Sequence, residues 1–149
     1  MKNAIEIKNG FLLFMALGVY FLLMDALGFA NNAILRSFNA LLILYFINRT
    51  ITYKIENGTV DFFDAFFAAL KTGALGVLLS MIGLVVFVQF NGGEMFLKEL
   101  SGSLFFGRDL GVIPYAAALF FEGIASVSIG VFLLMQYRRT PSHNPQSAY

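Results

Sequence analysis

Three charged residues lie in or beside the long apolar runs of this sequence and are its best candidates for chemistry: Asp25, Arg36 and Glu122. A charge at membrane depth is costly and usually faces the interior of a bundle. At about 1.5 Å of rise per helical residue, Asp25 lies about 25 Å along from Lys8, Glu122 about 24 Å from Arg138 and Arg36 about 20 Å from Arg49. In an up-and-down bundle whose termini share a side, all three reach a similar level in the outer part of the membrane. Arg36 is therefore expected to be the counter-ion of Asp25, of Glu122 or of both, with Asn39 one turn deeper as a neutral neighbour. Glu122 shares a helix face with Tyr115, Leu119, Ser126 and Gly130. Two acids against one base leave one carboxyl open to protonation, because a desolvated carboxyl beside a like charge is harder to ionise. The cluster has three readings: a polar clamp that fixes helix register, a path for a proton, ion or polar solute, or side chains that simply reach the outer headgroups.

Other reactive residue types are sparse. Lys71 shares a face with Asp64 and Ala68; its stem can carry the ammonium to the near interface, solvated or paired with Asp64, with a transport role as the alternative. Asp61 and Asp64 look like an acid/base pair but suit the first turn of a helix. There is no Cys, hence no disulfide, thiol nucleophile or thiolate metal site, and His143 is the single histidine. No Ser/His/Asp arrangement, phosphate-binding glycine loop or zinc-binding HExxH is present, so no catalytic residue, metal site or cofactor is expected.

The elements that must hold these residues are membrane spans. The 149 residues are 58% hydrophobic with a mean hydropathy of +0.76, above the roughly 45 to 50% apolar content of soluble domains. A net charge of +1 offers nothing to a polyanion, which excludes nucleic acid as a partner. Four apolar runs, Phe11 to Ala30, Ala33 to Ile47, Phe62 to Phe90 and Gly111 to Gln136, approach the ~20 residues a spanning helix needs. The second reaches that length by extending from about Asn32 to Thr50. Lipid satisfies no backbone polar group, so the expected fold is all-α: a polytopic four-helix bundle with spans at about 10–30, 32–50, 62–90 and 111–136. Residues 1–137 form one transmembrane domain and 138–149 a polar tail. The first run ends in Gly28-Phe29-Ala30, which a signal peptidase would accept, but its length and Asp25 favour a retained helix.

Lys2, Lys8, Arg49, Lys54, Arg138 and Arg139 fall on one side; Arg36, Lys98 and Arg108 fall on the other. The positive-inside rule then makes both termini and the central connection cytoplasmic. In the outer connection, Asn91 to Leu110, the residues Phe96, Leu97, Leu100 and Leu104 follow helical spacing, which predicts a short helix lying in the outer interface.

Small residues form stripes that let helix backbones approach closely: Ala65, Ala69, Gly73, Gly76, Ser80 and Gly83 in the third span, Gly123, Ser126 and Gly130 in the fourth. They are read as intramolecular packing faces, with homo-oligomer contact as the sharper alternative.

The stretch from Tyr53 through the Asn57-Gly58 turn to Asp61-Phe62-Phe63-Asp64-Ala65-Phe66, followed by Gly73, resembles the polar turn and third-helix entry of a family of small bacterial four-helix membrane proteins. That family is catalogued as domain of unknown function 4199 and is common in the Bacteroidetes. The resemblance covers nearly the whole chain and implies a multi-pass protein of the bacterial plasma (inner) membrane with no assigned activity. Taken with the residues, it leads to the expectation of a non-enzymatic inner-membrane scaffold or accessory subunit whose partners are the bilayer and another membrane protein or a second copy. The rival is a small oligomeric transporter or channel subunit with Asp25, Arg36 and Glu122 lining the path.

Overall fold

A computed structural model of the protein describes residues 4–30, 32–57, 62–101 and 111–138. All regular structure among them is helical: α1 (Ala4–Ala26), α2 (Ala33–Glu56), α3 (Phe62–Phe90), α4 (Glu94–Ser101) and α5 (Val112–Arg138). Helices α1, α2, α3 and α5 are long and apolar enough to cross a membrane, which makes this a multi-pass membrane protein. The chain enters and leaves the bundle at the same end.

Local chemistry sets the first turn. Gly28 adopts φ 73°, the left-handed conformation that glycine takes without penalty. It lets the Phe29 N–H reach Met24 O at 2.8 Å and the Gly28 N–H reach Asp25 O at 2.9 Å, the paired bonds that close a helix C-terminus. Asn32 then starts α2 by accepting from the N–H groups of Ile34 and Leu35 through its side chain, at 3.0 and 3.3 Å. As a result α1 stops at Ala26 and not at Ala30.

Two other boundaries differ from the sequence reading. The first helix begins at Ala4, well before residue 10, and the second runs on to Glu56, past Thr50. The polar residues at these ends look like flanks in the sequence but are buried: Glu6 and Asn9 on α1, Thr50 on α2.

Helix α3 is central and touches α1, α2, α4 and α5, whereas α1 and α5 do not meet. Glycine makes these approaches possible. A Cβ on Gly76 would stand 2.5 Å from Leu13 of α1, one on Gly123 2.6 Å from Val77 of α3, and one on Gly130 2.7 Å from Leu44 of α2, while one on Gly73 would collide with Val127 of α5. The expected single stripe on α3 therefore serves two partners, since a step of three residues turns the helix by about 60°.

Two apolar clusters result. The larger, around Leu13, Ile47, Ile51, Ala69, Val127 and Val131, fills the half of the bundle nearer the termini. The smaller, Val88, Leu97 and Tyr115 with Phe21, Leu84 and Leu119 against it, closes the far end. The buried Leu97 ties α4 to that cluster, and Phe96 stacks edge-on against Phe87 at 5.7 Å. Of the other two residues expected on this face, the Leu100 side chain and Leu104 lie outside the described residues.

Candidate functional site

Between the two clusters lies a cavity of about 470 Å³, walled by all four long helices. Its apolar lining includes Phe14 and Phe21 from α1, Leu84 and Phe87 from α3, and Leu119 from α5; its polar lining includes Arg36, Asn39, Ser80, Tyr115, Glu122 and Ser126. It runs from the level of Arg36 to that of Ile43, about 10 Å along α2.

Arg36 and Glu122 meet beside this cavity. Arg36 Nη2 donates to Glu122 Oε2 at 3.2 Å, joining α2 to α5, with the side chains 20% and 62% exposed. The cavity thus reaches the surface at Glu122. Asp25 does not join them; among the described residues its carboxylate takes no ion pair or side-chain hydrogen bond. The reason is the early end of α1: Asp25 lies in its last turn, only partly buried, just before the chain turns at Gly28.

The remaining candidates divide between this cavity and other places. Asn39 Oδ1 and Ser80 Oγ are buried atoms without a hydrogen-bond partner, in residues that line the cavity. Ser126 returns its hydroxyl to Glu122 O at 2.9 Å. Gly83 and Gly123 lie on the wall, Gly123 also at its contact with Val77, while Gly73, Gly76 and Gly130 sit at helix contacts nearer the termini. Lys71 is exposed and forms no ion pair with Asp64; it edges a shallow groove with Glu6, Leu75, Leu78, Phe120 and Ile124. Among the described residues no group of three or more His, Asp or Glu is placed to hold a metal ion.

Sequence reasoning missed a second polar site, at the end near the termini. Lys54 Nζ lies 2.8 Å from Glu6 Oε1 with both side chains largely buried. One turn deeper, Asn9 Nδ2 donates to Thr50 Oγ1 at 2.9 Å, and Thr50 Oγ1 lies 3.0 Å from Thr72 Oγ1. Asn9, Thr50 and Thr72 are all fully buried. Arg138 completes the ties by donating to Asn48 Oδ1 at 2.8 Å and Thr52 Oγ1 at 2.7 Å. Every one of these bonds reaches α2, so α2 is the polar hub of the bundle as α3 is its apolar one. The signal was in the spacing: Glu6 and Asn9 one turn apart on α1, Thr50 and Lys54 one turn apart on α2, in the reversed order antiparallel helices require.

The two polar levels are a membrane apart. About 27 Å of helix separates Arg36 from Lys54, close to the ~30 Å of a hydrocarbon core.

No protein-family model matches the chain, and comparison with curated proteins and with solved structures returns no match. The site must be argued from its own chemistry.

Proposed function

We propose that this chain is a non-enzymatic scaffold or accessory subunit of a membrane complex, resident in the bacterial plasma membrane. Its termini face the cytoplasm and α4 lies in the outer interface. The observation that carries the reading is the polar lattice at one end, where the buried Glu6, Asn9 and Thr72 and the exposed Arg138 all bond to α2. Such a lattice fixes the register of α1, α2 and α3, because a slip of any of them would strand buried polar groups in a dry interior, while Arg138 ties α5 to α2 at the surface. A bundle clamped in this way suits a fixed surface for a neighbour better than a rocking carrier. Outward-facing side chains such as Phe11, Leu41, Phe67, Phe121 and Phe132 present apolar faces to lipid or to that neighbour. Purification of the tagged chain from native membranes in mild detergent should recover a second membrane protein, or a second copy, in fixed proportion. Recovery of the isolated monomer alone would count against the reading.

The cavity favours a second reading, the small oligomeric transporter or channel subunit. Arg36 and Glu122 would then edge the path, with Asp25 at its outer approach. Under this reading Glu122→Gln abolishes proton-coupled flux in proteoliposomes, since the amide keeps the shape and loses the titratable proton. A scaffold tolerates the change.

A further inference from the structure

We propose that the groove left where α1 and α5 fail to meet binds one anionic phospholipid of the leaflet nearer the termini, its acyl chain laid along α3 and its phosphate at Lys71.

The groove follows from the way the helices pack. Helix α3 touches both α1 and α5, which do not touch each other, so a strip of α3 stays uncovered between them. The result is a groove of about 460 Å³, with Ala74, Leu75 and Leu78 of α3 on its floor, Ile7 of α1 on one side, and Phe120 and Ile124 of α5 on the other. From Lys71 to Leu78 it runs about 10 Å along α3, a large part of the ~15 Å that one leaflet contributes to a ~30 Å hydrocarbon core. Ile7 and Leu78 are 60% and 41% exposed, so the groove opens outward to the bilayer. An apolar trough at this depth is filled by an acyl chain, because water there would find too few polar partners.

Lys71 selects the headgroup. Its side chain is exposed, and among the described residues its ammonium makes no hydrogen bond or ion pair. It adjoins Thr72, whose hydroxyl lies 3.0 Å from that of Thr50; Thr50 in turn is about 6 Å of helix from Lys54, which marks the near polar level. The Lys71 backbone is therefore about one turn inside the hydrocarbon, where a charge is costly unless it meets an opposite one. Its stem carries the ammonium back to phosphate level while the methylenes stay on the apolar wall. The neighbouring carboxylate does not compete: Glu6 lines the same groove, but its Oε1 is held by Lys54 at 2.8 Å and its Oε2 is enclosed. One unspent positive charge at the end of one apolar trough matches a phosphate above an acyl chain. A zwitterionic lipid fits the trough equally well but brings its own ammonium to the same place, which offsets the attraction.

The inference does not rest on the scaffold reading, because occupancy is read on the isolated chain. Purified protein in maltoside micelles is mixed with equal concentrations of palmitoyl-oleoyl phosphatidylglycerol and palmitoyl-oleoyl phosphatidylethanolamine, and adducts are read by native mass spectrometry. The single phosphatidylglycerol adduct should exceed the phosphatidylethanolamine adduct roughly fivefold, the worth of one lysine near an anionic headgroup. Lys71→Gln should bring the two adducts close to equality, and Lys71→Arg should keep the preference. Lys8→Gln removes the same charge from an exposed position of α1 outside the groove and should leave the ratio unchanged. Ala74→Phe fills the groove from its floor and should lower both adducts together. Equal adducts in the unaltered chain, a preference that survives Lys71→Gln, or one lost as fully in Lys8→Gln would overturn the assignment. So would a lipid-free dimer, which would put a second copy in the groove.

Discussion

Glu6 Oε1 on α1 and Lys54 Nζ on α2 lie 2.8 Å apart with side chains 6% and 13% exposed, so this ion pair is enclosed by the bundle. The Arg36–Glu122 pair is longer, at 3.2 Å, and its carboxylate is largely exposed. Burial, more than formal charge, separates the two in energetic consequence. A desolvated charge that loses its partner has no water to turn to, whereas an exposed one is solvated or screened.

Removing one partner of the buried pair should be severe. Lys54→Met leaves the Glu6 carboxylate stranded and should cost about 3–5 kcal/mol, while Lys54→Met combined with Glu6→Leu should recover much of that loss. Reversible unfolding in detergent checks this. Strictly additive losses would mean that the two residues act independently.

The same cycle at Arg36 and Glu122 should give a coupling below about 1 kcal/mol, reduced further by salt. A coupling as large as that at Glu6 and Lys54 would show that the rim is drier than its exposure indicates.

Glycine substitutions should divide by position. Gly76→Leu puts a side chain where Leu13 Cδ2 would stand 2.5 Å from the new Cβ, and overpacking of this kind typically costs about 1–3 kcal/mol. Gly18→Leu meets open space and removes a helix-interior glycine, so its melting temperature should hold or rise. If both variants melt together, α1 and α3 do not approach as closely as described.

Orientation is tested by single cysteines introduced into this cysteine-free chain. Cysteines at positions 57 and 141 should react with impermeant reagents only when the inner face is opened, and one at position 102 should react in intact cells. Outside labelling at position 57 would invert the topology.

The four spans were legible because lipid leaves no choice: a run of ~20 apolar residues must satisfy its own backbone, and only a helix does so. The common level of Arg36 and Glu122 followed from helical rise alone, and the short helix carrying Leu97 from the spacing of its apolar residues. Depth along a helix is one-dimensional information, and the chain carries it. Rotation about each axis and the choice of neighbours are not carried in this way. Asp25 matched Arg36 in level, yet the turn at Gly28 ends α1 beside it, and the pair does not form. The Gly73 and Gly76 stripe was visible, but that it splits between Val127 and Leu13 depends on α3 lying at the centre. Glu6 and Asn9 lie outside the first apolar run of the sequence, and only the fold brings Lys54, Thr50 and Thr72 against them. The cavity has no local signature at all. Sequence determined what each helix must do in the bilayer; tertiary structure decided which polar atoms found partners and which were buried without one, because that depends on the packing of four surfaces at once.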